Sequence, residues 1–214
     1  MKIIKIFAAP ESKGGGQVVA LPCLRRINEA ELGADHVRNK NRLRCRVMGF
    51  SIDLMSAKSI DQVDGMARQH IAELFNPDTI LLLLPPLTRH STLPALNGII
   101  EYAQNQGRLV YIKDVKSEEV VVSGPAGSAE SVAMFTTPLT AVRGNRESFA
   151  GIKSGSVVIS PLIYEAKRPG PMVNRGVLVL TSLRPNILSD LAGVQPFNAY
   201  SGYLATKLNS LLVP

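Results

Sequence analysis

Apolar residues recur along this chain in two rhythms. From Ser59 the rhythm is helical: Ile60, Val63, Ala67, Ile71 and Leu74 fall on one face. Ser59 and Gln62, three residues apart, make a capping box at its start, and Asn76-Pro77 ends it. Next comes an unbroken apolar run at 79–84, with four consecutive leucines, closed by Pro85-Pro86. It is far shorter than the roughly 18 to 20 residues a membrane helix needs, so it predicts a buried strand. A second helix is predicted over about 92–106, with Pro94 in its first turn and Gly107 as its stop. Residues 109–113 return as a strand. Strand, helix and strand of these lengths predict a parallel, right-handed crossover unit.

Before this unit, residues 3–8 read as a first strand, 10–16 as a turn, and 21–32 as a short helix ended by Gly33. After about residue 115 the character changes. Short valine-rich runs at 120–123, 131–136, 157–164 and 176–183 alternate with Gly, Ser and Pro and predict strands, with 167–171 as the clearest loop. From Asn198, taken as an N-cap, Tyr200, Tyr203, Leu204, Lys207, Leu208, Leu211 and Leu212 follow at helical spacing. Such a stripe is expected to dock on the protein's own core. Self-association through this helix or through the β-rich half is the alternative. The expected fold class is α+β, or α/β. Residues 1–115 would form a half of alternating strands and helices. Residues 116–214 would form a β-rich half with a terminal helix, and the two halves could share one core.

Composition narrows the class. Of 214 residues, 45% are hydrophobic and 19% charged, a balance that excludes a disordered tail. Cys23 and Cys45 are far apart and form no C-x-x-C pair, so neither a disulfide framework nor a zinc site is expected. The apolar start is interrupted at Lys5 and is too short for a secretory signal, leaving a soluble intracellular protein as the expectation.

Charge adds the most specific information. The formal net charge is +7, and residues 1–46 hold ten basic against four acidic side chains, so almost the whole excess is local. Within it Arg38, Lys40, Arg42, Arg44 and Arg46 occupy every second position. In a strand, alternate side chains share a face, so this spacing predicts a cationic ribbon with heads about 6.6 Å apart, near the phosphate repeat of an extended nucleic acid. A shift of apolar parity to Met48, Phe50, Ile52 and Leu54 would then mark a bulge near Gly49, and Cys45 would face the core. Arginine forks suit phosphate oxygens, and five unrelieved like charges repel one another unless an anion joins them.

The function this predicts is a non-enzymatic nucleic-acid-binding or assembly protein that contacts phosphate through Arg38, Lys40, Arg42, Arg44 and Arg46, with Arg25 and Arg26 as candidates to join them. Its general character is compatible with a viral or mobile-element structural, matrix or movement protein. No Trp is present and no aromatic residue interrupts the basic run, so backbone tracking is expected rather than base stacking. The bland alternative is an edge strand whose lysine and arginines only keep it soluble. Acidic protein and an anionic membrane surface are the other partners this charge would suit.

Glu11-Ser12-Lys13-Gly14-Gly15-Gly16-Gln17 offers a second, weaker anion site, because Lys13, Gly14, Gly15 and Gly16 could bring backbone N–H groups to a phosphate. The segment resembles in outline the opening of the deviant Walker loop in ParA-like partition ATPases, and Leu83-Leu84-Pro85-Pro86 resembles their Asp-x-Pro-Pro strand end. The resemblance implies a nucleotide- or phosphate-binding α/β domain related to a degenerate P-loop ATPase; because α/β sheets place ligands at their strand ends, the 88–91 loop is a candidate beside Lys13 and Gly14 to Gly16. The chain departs from that motif at Gln17, Val18, Val19 and Leu83, which removes the phosphate lysine, the magnesium hydroxyl and the acidic metal partner. His36, His70 and His90 have no ligand spacing, and Asp61 and Asp64 suit the start of a helix dipole. No catalytic residue, metal or cofactor is expected.

Overall fold

Ser59 starts its helix as the sequence requires. Its hydroxyl accepts from the Gln62 amide, while the Gln62 side chain accepts from the Lys58 amide at 2.7 Å. In the computed structural model, which describes residues 25–27, 32–85, 96–117, 119–124, 134–143, 155–165, 172–189 and 191–212, this helix is α2 (Ile60–Phe75). Val63, Ala67, His70, Ile71 and Phe75 are buried, and Asn76 ends the helix in the left-handed conformation at φ 48°.

Before α2 stand β1 (Arg25–Arg26) and α1 (Ala34–Met55). After it come β2 (Thr79–Leu83), α3 (Asn97–Gln106), β3 (Leu109–Ile112), β4 (Glu119–Ser123), β5 (Met134–Pro138) and α4 (Leu139–Arg143). The chain closes with β6 (Ser156–Glu165), β7 (Met172–Ser182) and α5 (Val194–Leu212). The fold is α+β: helices surround one seven-stranded sheet of order β1-β5-β4-β3-β6-β7-β2, in which every pairing is antiparallel.

The sheet is covered on both faces, so its central strands are apolar without alternation. Leu109, Tyr111, Val158, Leu178 and Leu180 face one side, where they join α2, α5 and part of α1. Val110, Ile112, Val157, Ile159, Val177 and Val179 face the other, under α3 and α4. Strands from both halves of the chain therefore lie in one sheet. α1 packs chiefly on α5 and α2 and forms an outer layer. Only Leu43, Val47 and Leu54 of its 22 residues are buried.

Several expectations change. The predicted parallel crossover does not form: β2 pairs with β7, β3 pairs with β4 and β6, and the β6–β7 hairpin lies between them. That hairpin is built from the two longest strands, and it takes the central place that local pattern assigned to 79–84. β2 is consequently an edge strand, half-buried rather than buried. Residues 25–26 are extended against β5, not part of a helix over 21–32. The terminal helix begins at Val194, four residues before Asn198, which is buried inside it. Its stripe docks in the core through Phe197, Tyr200, Leu204, Ala205 and Leu208. The predicted first strand and the 167–171 loop lie outside the described residues.

Candidate functional site

The basic stretch is helical. Arg38, Lys40, Arg42, Arg44 and Arg46 all lie within α1, which runs unbroken through Gly49, so there is neither a cationic ribbon nor a bulge. The reason lies in the apolar positions. Leu43, Val47, Phe50 and Leu54 are spaced four, three and four apart, which lines one helical face, and Arg, Lys, Leu and Met are good helix formers. Docking of Leu43, Val47 and Leu54 against α5 and α2 decides the outcome.

Helical winding redistributes the five cations. At about 100° per residue, Arg38, Arg42 and Arg46 fall within about 80° of one another, some 6 Å apart along the axis, while Lys40 and Arg44 lie roughly 160° round from Arg42. The first row is partly neutralised. Arg38 lies 3.9 Å from Asp35, with both side chains largely in solvent, and Arg46 lies 3.7 Å from Glu73 of α2. Arg46 also stands over the Phe50 ring, 5.7 Å from its centroid. Arg42 and Arg44 are exposed and have no ion pair among the described residues.

Arg46, Gly49, Phe50, Ile52 and Asp53 of α1 and Glu73 of α2 line an open groove of about 460 Å³. Sequence reasoning missed Phe50 and Glu73. Glu73 becomes a partner only because α2 folds back beside α1, whereas the pairing of Phe50 with Arg46 four residues earlier was visible once the stretch is read as a helix. Cys45 is exposed, not core-facing, because the helix turns it away from the buried stripe. His70 is buried, as a structural histidine would be, with Nδ1 3.0 Å from the Tyr200 hydroxyl. Arg25 and Arg26 belong to the edge strand β1, separate in the chain from α1. Lys13, Gly14, Gly15, Gly16 and the 88–91 loop lie outside the described residues.

Among the described residues, no three or more His, Cys, Asp or Glu side chains stand together as metal ligands would. No described helix is long and apolar enough to cross a membrane.

No protein-family model matches this sequence, and no curated protein does. In structure, the chain is similar to the chromophore-binding domain of an unusual bacteriophytochrome, RpBphP3 from R. palustris, with a TM-score of 0.51 and 12% identity over 82% of this chain. The match spans 62% of the length of that chain. At such identity the likeness is one of fold.

Proposed function

We propose that this protein is a non-enzymatic binding module that receives an anionic partner, nucleic acid first, on the arginine-bearing solvent side of α1. One observation carries the reading: Arg42 and Arg44 stand exposed and without a carboxylate partner among the described residues, on an outer-layer helix that holds five of the chain's 24 basic residues within nine positions. Like charges this close raise the energy of the free protein, and phosphate oxygens would lower it. The strand-borne mechanism is replaced. A helix offers Arg38, Arg42 and Arg46 as one row and turns Arg44 to a different side, so the contact would be made by separate guanidinium groups rather than by an aligned ribbon.

Contacts of this kind bind with little sequence preference and weaken steeply with salt. The test is titration of fluorescent single-stranded and duplex oligonucleotides at two salt concentrations, beside vesicles of anionic and of neutral lipid. Oligonucleotide affinity that falls at high salt supports the reading. Retention by anionic vesicles alone moves the partner to a lipid surface. Binding to none of them removes the reading.

A further inference from the structure

Tyr200 is fully buried, and among the described residues its hydroxyl has one hydrogen-bond partner, His70 Nδ1 at 3.0 Å. Burial pushes the phenol pKa up, so it keeps its proton. That single hydrogen needs an acceptor where bulk water does not reach, and Nδ1 is the one within range. Neutral His70 therefore carries its own hydrogen on Nε2. Its ring lies flat on Phe50 of α1 and is held from α5 by Tyr200, so one imidazole joins three helices. Of these α1 has the least to hold it, with three buried residues in 22. The groups that face His70 are Asp53 of α1, with Arg46 over the Phe50 ring, Glu73 of α2 itself, and Tyr200 of α5. The two carboxylates favour an imidazolium, and burial disfavours it more strongly.

We infer that α1 is a proton-released flap: protonation of His70 breaks its seat against Phe50 and Tyr200, and α1 opens away from α2 and α5 while the sheet stays folded. An imidazolium donates from both nitrogens, so the Tyr200 oxygen must turn to accept from Nδ1, and the buried phenol hydrogen is left without an acceptor. The charged ring gains by moving toward Asp53 and Glu73, which line the open groove beside α1 and α2. Phe50 lines the same groove and covers one face of the imidazole, so displacing the ring removes the contact that seats α1. The 56–59 corner and Lys207, whose Nζ lies 3.0 Å from the Met55 carbonyl, hold the far end of α1. Opening is therefore greatest toward Ala34, and it carries the five cations of the helix with it.

The inference does not rest on anion binding, and its test uses the free protein. Amide hydrogen exchange of the full chain is followed by NMR at pH 7.5 and pH 5.5, with each rate divided by the intrinsic rate of an unfolded amide at that pH. Corrected exchange at Val47 and Phe50 of α1 should rise on acidification by about threefold or more relative to Ile159 of β6. In His70→Gln that relative rise should vanish. In Tyr200→Phe, which has no phenol hydrogen to strand, it should shrink. Equal rises in α1 and β6, which would mean global unfolding alone, or a rise at Val47 and Phe50 that His70→Gln leaves unchanged, overturn the proposal. Nitrogen chemical shifts of the His70 ring at pH 7.5 give a second reading in the unaltered chain. Hydrogen on Nε2 and a bare Nδ1 are expected; hydrogen on Nδ1 overturns the proposal.

Discussion

The Phe50 ring lies flat on the His70 imidazole, with centroids 4.2 Å apart and planes 3° from parallel. Arg46 stands over the same Phe50 ring, and the Tyr200 hydroxyl meets His70 Nδ1. This stack joins α1, α2 and α5, and so fixes the face that α1 turns to solvent.

The stack makes stability depend on pH. Burial lowers the His70 pKa from its ordinary 6.5, against the opposing pull of Asp53 and Glu73. The unfolded chain therefore takes up this proton at higher pH than the folded one does. His70's contribution is complete above the unfolded value and is lost as pH falls through the folded one. Melting temperature should decline as pH falls below about 6.5, and less so in His70→Gln. Equal declines in both proteins would contradict the assignment.

Asp78 clasps the edge of the sheet. Its Oδ2 accepts from the Leu183 amide at 2.7 Å and from the Ser182 hydroxyl at 2.9 Å, which ties the entry to β2 to the end of β7. These two hydrogen bonds hold its carboxyl below the ordinary 3.8. The clasp is thus present above that value and is released as pH falls through the lowered one. Asp78→Ala should speed hydrogen exchange at the Leu183 amide and along β2 while leaving β3 unchanged. Unaltered exchange at Leu183 would count against it.

Two glycines should respond oppositely to alanine. Gly155 has φ +110°, and a Cβ there would stand 1.8 Å from the Ser182 carbonyl oxygen. Gly155→Ala should cost at least about 2 kcal/mol of stability in denaturant unfolding. Gly65 is exposed in α2 with nothing within 4 Å, so Gly65→Ala should stabilise by about 0.5–1 kcal/mol.

The terminal helix is core structure. Phe197 is fully buried, edge-on to Phe75 with centroids 5.7 Å apart. Phe197→Ala should destabilise by about 3–5 kcal/mol. A cost below about 1 kcal/mol would mean that α5 does not seal this face of the sheet.

The sequence revealed what local chemistry decides. The capping box of Ser59 and Gln62, the left-handed stop at Gly107 and the apolar face of α2 are contained within a few residues, and all are found as expected. Strand neighbours depend on pairings across long separations. Placing 79–84 beside 109–113 followed their order in the chain, whereas the β6–β7 hairpin comes between them. The basic stretch failed for another reason. Its cations repeat every second residue, but cations do not drive burial. The four-three-four spacing of Leu43, Val47, Phe50 and Leu54 was the stronger signal. The clustering of cations was thus legible in the sequence, while their geometry and the neighbours Phe50 and Glu73 were not.

The most direct test compares the salt dependence of oligonucleotide binding by the unaltered chain and by Arg42→Glu/Arg44→Glu. Both side chains are exposed, so the substitutions should leave the fold intact. The account predicts weaker binding by the variant and a log–log salt slope shallower by about 2, one for each phosphate contact removed. Equal affinity and equal slope in the two proteins would contradict the role given to α1.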